Sequence, residues 1–409
     1  MERDFLTIDD LDVRGKTVLV RADLNCPIAQ GRIANDERIR AHAATVRELK
    51  ERGARVAILS HQGRAGDTDF VSLEEHARLL SQHAGEVRFV DDIFGSLARE
   101  RIRGLGEGEA LLLENVRFFS GESLELPPAE HAAGQLVKGL APLADLFVND
   151  AFSAIHRSHA SLVGFGELLP AAAGRVMGHE LDSLAKALAE GGGPVLYVLG
   201  GVKVDESLRV IQSLMRNRRA DKVLTGGLLG NLFLAARGYD LGKPSAELLK
   251  KKGIDKLLPL ARELASMFGE RIEAPIDLAV ENQGRKEVRM KDLPIPYLIS
   301  DIGSETIRQY CQALGRAGTL VLNSPLGRFE QEEFALGTRR ILEAAAACPA
   351  RTIVGGGHSA QAVQQLGLKE KFTHVSIGGR ATLYHLAGES TPVTAMLRKA
   401  KQKFSGGTT

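Results

Sequence analysis

Cysteine is scarce and badly spaced for chemistry. The three, Cys26, Cys311 and Cys348, lie far apart in a chain of 409 residues. They form neither a CxxC pair nor a cysteine–histidine cluster at zinc spacing, so a zinc site of that kind is excluded, and a reducing, intracellular location fits best. Positive charge is not concentrated either. The formal net charge is +2, and no basic stretch of the kind that nucleic-acid or membrane-surface binding calls for is visible. No apolar run approaches the ~20 residues that span a bilayer. The opening MERDFLTIDD is acidic and lacks the apolar segment of a signal peptide. A cytoplasmic protein with no nucleic-acid and no membrane partner is therefore expected. Low-complexity linkers are also missing.

What remains is ordinary globular composition, 44% hydrophobic and 25% charged, in a chain long enough for two domains. The first half alternates strand-like and helix-like stretches. TVLVRADLN is a short apolar run ending in polar residues. ERIRAHAATVRELKERG places Ile39, Ala43, Val46 and Leu49 on one helical face, with Gly53 as a stop. RVAILSHQG follows, then a helix opened by the capping box SLEE, Ser72 to Glu75, and the strands EVRFVDD, EALLLENV and DLFVNDAF. The second half repeats the style in GPVLYVLGG, KVLTGG, YLISDIG, TLVLNSP, RTIVGGG and THVSIGG. Continuous Val/Leu/Ile runs alternating with helices indicate α/β domains whose parallel sheets are covered on both faces. GRVMGHELDSLAKALAEGGG, a helix with a glycine stop, is the best connector between two such domains. VTAMLRKAKQKFSGGTT reads as a basic amphipathic helix followed by a loose tail.

In open parallel sheets, ligands sit beyond the carboxyl ends of the strands. In the first half these ends are DLN (23–25), SHQGR (60–64), ENVRF (114–118) and HRSH (156–159). Arginine or histidine recurs at three of the four, and Arg21 and Arg38 flank the first. Alone, HRSH would read as a solvated loop. The recurrence argues instead for a cationic rim suited to a small, multiply charged anion. In the second half, Gly200–Gly201, Gly226–Gly227, Gly355–Gly357 and Gly378–Gly379 each end a strand and precede a helical pattern. Glycine there lets backbone N–H groups approach phosphate oxygens at a helix N-terminus. Tight turns also want glycine, so one such loop says little, but four on one rim favour a nucleotide.

Two standard motifs fail. GYDLGKP has the wrong spacing, and a proline after its lysine, for a Walker A loop. GGGHSA matches GxGxxA, but the following strand, THVSI, ends in glycines where a ribose hydroxyl needs Asp or Glu. The residues themselves thus point to an anion-binding domain and a phosphate-cradling domain, and to phosphoryl transfer between a nucleotide and a small acid. No obvious general base faces the basic rim. A carboxylate acceptor, with a pKa of about 3.5, needs none. Catalysis would then be positioning plus positive charge on the transferring group.

RADLNCPI, RIANDERI, LSHQGR, LLENVRF, NDAFSAIHRSHAS, LGGVKV, GGGHSA and SIGG occur in that order. Together they resemble phosphoglycerate kinase over nearly the whole chain, and VNDAFSAIHRSHAS, LGGVKVDES and GGGHS look like the archaeal branch of the family. The resemblance implies reversible transfer between 1,3-bisphosphoglycerate and ADP, giving 3-phosphoglycerate and ATP, in glycolysis and gluconeogenesis. Mg2+ accompanies ATP/ADP as co-substrate, and the enzyme would be a monomer or homodimer. The implied α/β fold has two Rossmann-like domains with parallel sheets covered by helices, closing about a hinge helix. Residues 1–173 would bind 3-phosphoglycerate, with 392–409 packing back on them. Residues 174–190 would form the interdomain helix, and 191–391 would bind nucleotide.

Carried over by position, Asp23 and Asn25 would hold the glycerate hydroxyl. Arg38, His61, Arg64, Arg117, His156, Arg157 and His159 would hold the phosphate and carboxylate, with Arg21 close by. Arg38 would also neutralise charge at the transfer step. Lys203 would contact the nucleotide phosphates, and Gly200, Gly201, Gly226 and Gly227 would pack on the adenine. Asn323, Pro325 and Glu330 would line the nucleotide, with Glu330 at the ribose. Gly355, Gly356, Gly357, Ser359, Gly378 and Gly379 would give backbone amides to the moving phosphoryl group. Arg38, Lys203, Gly357 and Gly379 would be the catalytic positions.

The departures from the family lie mostly in the second half. Ser207 stands where the commoner bacterial and eukaryotic pattern has a second lysine. His358 stands where that pattern has a metal-holding aspartate, so Mg2+ would be bound mainly through the nucleotide phosphates. LNSPLGR replaces NGPMG, making Ser324 and Arg328 odd, and SIGGRATL replaces STGGGAS, placing Ile377 and Arg380 in the phosphate loop. Arg380 could reach the cleft and replace the charge lost at Ser207, but a helix N-terminus already offers a phosphate positive potential, so it is expected to point to solvent. The alternative reading is a paralogue that binds phosphoglycerate or nucleotide without turnover. Arg380 and Ser324 support it, and the intact first-half site opposes it. A kinase for another phosphorylated acid is disfavoured because the 3-phosphoglycerate residues all match.

Overall fold

The structure, a computed structural model, describes residues 3–190 and 192–404. The chain divides into two compact units, one running to Asp182 and including the residues from Ser390 onward, the other spanning Ser183–Glu389.

The first unit is built on β1 (Thr17–Arg21), β2 (Arg55–Leu59), β3 (Arg88–Val90), β4 (Ala110–Leu113), β5 (Leu146–Asn149) and β6 (Ala171–Ala173). Their order in the sheet is β3-β4-β2-β1-β5-β6, and every pairing is parallel. β1, β4 and β5 are buried along their whole length, which is why they read as unbroken apolar runs. The helix Glu37–Glu51 buries Ile39, Ala43, Val46 and Leu49. The capping box expected at SLEE does not form. The helix starts at Glu74. The Ser72 hydroxyl accepts the Glu74 N–H at 3.3 Å, while the Glu75 carboxylate is drawn away to the Ile33 N–H at 3.2 Å. A tertiary partner has displaced the local cap.

The second unit is built on β7 (Val195–Leu199), β8 (Lys222–Thr225), β9 (Ile272–Glu273), β10 (Thr319–Asn323), β11 (Arg351–Gly355) and β12 (His374–Val375). These are ordered β9-β8-β7-β10-β11-β12 and are again parallel throughout. YLISDIG is not one of them. Its strand, Leu298–Ile302, pairs antiparallel with Asp277–Glu281, which pairs in turn with Arg285–Arg289. The turn between the last two places Gln283 and Gly284 at φ of 51° and 101°, the left-handed geometry that closes a hairpin. This hairpin, inserted between β9 and β10, captures the third strand.

In each sheet the strand order reverses once, beside β1 and β5 in the first unit and beside β7 and β10 in the second. The crevice beyond the carboxyl ends at such a point is where α/β folds bind ligands. The helix Arg175–Glu190 begins where Asp150, just past β5, accepts the N–H groups of Val176 (2.9 Å) and Met177 (3.1 Å). The division between the units falls within this helix. The glycine at 191 and the tail at 405–409 lie outside the described residues. Among those described, no helix is long and apolar enough to cross a membrane.

The last helix, Pro392–Phe404, buries Val393, Met396, Leu397 and Ala400. It is tied to the first unit by the Val393 N–H, which donates to the Ile155 carbonyl (3.2 Å), and by Lys399, which pairs with Glu167 (2.8 Å). Leu397→Ala should therefore lower the unfolding free energy by about 2–4 kcal/mol, measured by urea denaturation. A loss well under 1 kcal/mol would show that this helix lies outside the cooperative core.

Candidate active site

β1 ends in Arg21, whose side chain is buried despite its charge, at 1% exposure. Its nitrogens are all engaged. Nε donates to Ser161 Oγ (2.7 Å), Nη1 to the Ala22 carbonyl (2.5 Å) and Nη2 to His61 Nδ1 (3.1 Å). Arginine cannot accept, so His61 accepts at Nδ1 and carries its proton on Nε2. Ser161 in turn donates its hydroxyl to Glu122 Oε1 (2.6 Å) and its N–H to Oε2 (2.8 Å). Glu122 is itself buried. An arginine–serine–glutamate chain thus balances the charge of Arg21 without a direct ion pair. Neither Glu122 nor Ser161 was expected from the sequence, because serine and glutamate in a surface-like stretch carry no signal until the fold brings them under the sheet edge.

Beyond β1, the Asp23 carboxylate accepts from Arg38, from the Ser153 hydroxyl and, at 3.2 Å, from the Asn25 N–H. Burial pushes its pKa up, but the charge of Arg38 above all outweighs that and holds it below the usual carboxylate range. The Asn25 Oδ1 accepts the Gly63 N–H at 2.8 Å. Gly63 has φ +64°, and a Cβ there would lie 2.4 Å from the Asp69 carbonyl oxygen, so only glycine lets this loop fold back with His61 buried and Arg64 exposed.

Arg117 follows β4 and donates to the Gly63 carbonyl. Burial, then the crowding of Arg157, Arg21 and Arg64, pushes its pKa down to about 10. Burial and then Arg21 hold His61 well below its ordinary value. Burial, then Arg157, Arg117 and Arg21, push His159 down to about 3; its Nε2 lies 3.2 Å from Glu125. His156 and Arg157 are half-buried in the same loop after β5. The fold therefore gathers this cationic set at one sheet edge, and its mutual repulsion would be relieved by an anion.

The second unit holds a cleft of about 760 Å³ at the carboxyl edge of its own sheet. Gly201, Lys203, Gly227, Asn323, Pro325, Glu330, Gly356, Gly357 and Gly379 line it, as does His358. The opposite wall, with Leu248, Pro275, Leu278, Leu298 and Ile299, was not foreseen. It is contributed largely by the misassigned strand and its hairpin. Gly200, Gly226, Gly355 and Ser359 do not line the cleft. A Cβ at Gly200 would meet the Pro325 carbonyl oxygen at 2.1 Å, so its role is to let the loops after β7 and β10 touch. The Ser359 hydroxyl accepts the Ser324 N–H at 2.7 Å. The Gly378 N–H is used locally, on Ser376 Oγ at 3.0 Å.

Helices Val204–Arg216, Gly227–Ala236 and Gly357–Gln365 start at this edge, with Lys203, Gly226 and Gly356 as their N-caps. Their first N–H groups lack intrahelical partners and favour anions. Asn323, at the end of β10, is 8% exposed, and its Nδ2 has no hydrogen-bond partner among the described residues. A buried amide donor in that state is suited to an acceptor from outside the chain. Arg380 does not point to solvent as expected. It lines the cleft and is ion-paired with Glu206, because the first turn of helix Val204–Arg216 presents a carboxylate within its reach.

The chain matches the phosphoglycerate kinase family model over residues 8–389. It belongs to the phosphoglycerate kinase family. It is 47% identical to the phosphoglycerate kinase of Methanothermobacter thermautotrophicus over 97% of each chain. It is 43% identical to that of Sulfurisphaera tokodaii, over 98% of this chain and 97% of the relative. Such relatives are mostly archaeal. Its fold is similar to the crystal structure of phosphoglycerate kinase from Pyrococcus horikoshii, with TM-score 0.89 and 41% identity over 98% of this chain and 100% of that one. The enzyme from Coxiella burnetii gives a TM-score of 0.79 and 32% identity over 97% and 99%.

Within this phosphoglycerate kinase framework, the buried histidines make stability depend on pH. His61 and His159 are neutral in the folded protein, and so is His76, which burial holds at about 4. In the unfolded chain each takes up a proton below about pH 6.5. The unfolded state then binds more protons, so stability is full above that pH and falls as the pH drops toward 3. The urea midpoint should be lower at pH 5 than at pH 7. His159→Gln should flatten that slope by up to about 1.4 kcal/mol per pH unit, and an unchanged slope would show that His159 titrates freely in the folded protein.

Ser324 stands at φ +72°, in the left-handed region where a non-glycine residue costs about 1–2 kcal/mol. Glycine there would lose about 0.5–1 kcal/mol to its greater freedom in the unfolded chain. Ser324→Gly should therefore stabilise the second unit by roughly 0.5–1 kcal/mol. Destabilisation would mean that the Ser324 hydroxyl, 3.1 Å from Asn323 Oδ1, contributes more than the strain costs.

Proposed function

We propose that this chain transfers a phosphoryl group reversibly between 1,3-bisphosphoglycerate and ADP, yielding 3-phosphoglycerate and ATP, in cytoplasmic glycolysis and gluconeogenesis. The observation that carries this reading is the crowding of Arg21, Arg64, Arg117 and Arg157 around two neutral histidines; burial first, and then its three arginine neighbours, push Arg117 down to about 10. A ligand with both a phosphate and a carboxylate suits such a cluster. In this reading the arginines and histidines of the rim hold those two groups. Asp23 accepts the glycerate hydroxyl, and Asn25 donates to it through the amide nitrogen. Arg38 neutralises charge as the phosphoryl group moves. The acceptor carboxylate is already ionised, so no general base is needed.

In the second unit, the adenine lies on the apolar wall of Leu248, Leu278 and Leu298. Glu330 reaches the ribose. Lys203 and the helix N-termini at Gly227 and Gly357 hold the phosphates. Among the described residues no three His, Cys, Asp or Glu side chains gather as a metal site. In this reading a magnesium ion would be held mainly by the phosphate oxygens, whose charge it would neutralise. His358 supplies no anionic ligand there.

A coupled assay with 3-phosphoglycerate, Mg2+ and ATP tests the reading. Arg38→Ala should cut kcat about 100-fold or more while leaving nucleotide affinity within about twofold, because its charge acts in the transition state. Arg157→Ala should chiefly raise KM for 3-phosphoglycerate. Lys203→Met should stay folded and lose turnover by orders of magnitude. A wild-type protein that binds both ligands by calorimetry yet gives no turnover would be a binding paralogue instead.

A further inference from the structure

Glu206 is the unexpected group beside the nucleotide cleft, in contact with the lining residue Arg380. It is an acid in the first turn of helix Val204–Arg216, whose N-cap, Lys203, lines the cleft. Its Oε1 is ion-paired with Arg380, and its Oε2 is buried with no hydrogen-bond partner among the described residues. Burial pushes its pKa up, and Arg380 and then Lys203 pull it back. A half-desolvated carboxylate beside a phosphate site opposes anion binding by its charge alone. Its presence is intelligible if it holds something that the anion needs.

Arg380 is what it holds. The residue opens the short helix after Gly379 and lines the cleft beside Gly357, Gly379 and Lys203. Its side chain is only 33% exposed and that of Glu206 22%, so a long, flexible cation is fixed where solvent would otherwise take it. The pair uses Nη1, and a guanidinium carries five N–H donors in a planar fork that matches phosphate oxygens. On the neighbouring helix position, Ser207 adds no charge, and its hydroxyl is used on the Lys203 carbonyl at 3.2 Å.

We propose that Arg380 is a phosphate-binding residue of this chain's nucleotide cleft and that Glu206 is its positioning residue, acting through the ion pair. The proposal rests on reading the cleft as a nucleotide site and assigns the terminal phosphates of ATP to Arg380.

The test is calorimetric binding of Mg·ATP and of adenosine to the full chain and its variants. Arg380→Gly should weaken Mg·ATP about tenfold or more and leave adenosine unchanged. Glu206→Gln decides between charge and position. Removing a negative charge should tighten ATP if the carboxylate merely repels it. It should weaken ATP several-fold if the carboxylate orients Arg380. In the Arg380→Gly background, Glu206→Gln should cause no further loss. Unchanged ATP affinity in Arg380→Gly, tighter ATP in Glu206→Gln, or parallel loss of adenosine and ATP would each overturn the proposal, the last by marking a structural role. Wild-type protein that binds neither adenosine nor ATP would instead sink the nucleotide reading of the cleft itself.

Discussion

Arg21 brings a full positive charge to the end of the central strand of the first sheet, out of reach of water. A cation so placed must have each nitrogen engaged, because an unpaired buried charge costs several kcal/mol. Much of the carboxyl edge follows from meeting that demand. Ser161 and Glu122 come in from beneath, and the Ala22 carbonyl turns toward the guanidinium. His61 must present a lone pair, which fixes its tautomer and keeps it neutral. Arg117 and Arg157 then sit in the field of a charge that cannot move away. The rim is therefore anchored at its base and strongly positive at its surface, a field that favours a small anion.

In the proposed reading, the two units bind anions by different means on the same kind of scaffold. In the first, the switch point beside β1 and β5 is furnished with side chains. In the second, the switch point beside β7 and β10 is furnished with backbone, since glycine-bearing turns bring three helix N-termini to one cleft. Side chains can match an asymmetric small acid point by point. Backbone amides and helix ends suit repeated phosphate groups, whose oxygens are alike. The apolar wall, which comes largely from a segment outside the main sheet, gives the second cleft a face with no counterpart in the rim.

How far the sequence revealed this depended on where each contribution comes from. The strands of the parallel sheets were legible because burial on both faces leaves an unbroken apolar run. The rim arginines and histidines were legible because they directly follow those runs. What was illegible arrives from elsewhere in the chain. Glu122 matters only because Ser161, thirty-nine residues on, folds over it. Leu298–Ile302 has the composition of a core strand, and only the hairpin turn upstream decides that it pairs antiparallel. Glu75 had the spacing of a capping residue, yet a backbone N–H more than forty residues away outcompeted the local one. Arg380 was judged on its own loop, and its partner lies on another helix. Local pattern reports local structure, and these side chains are placed by contacts between distant segments.

If the rim holds the acid as proposed, the neutrality of its histidines bears on reversibility. If His61 and His159 were charged at neutral pH, the rim would hold two more positive charges and would grip a phosphate and a carboxylate more tightly in the ground state. Tight uniform binding lowers KM without raising kcat, and in a reversible transfer it would also slow release of the acid. Burial and the neighbouring arginines prevent this by keeping both imidazoles uncharged. As neutral donors they supply direction and hydrogen bonds, while most of the charge stays on the arginines. Arg38 is paired with Asp23 and so is partly balanced before any ligand arrives. A cation balanced at rest adds less to ground-state binding than one left bare. It can still respond to charge that develops in the transition state, and that is the kind of interaction that raises kcat.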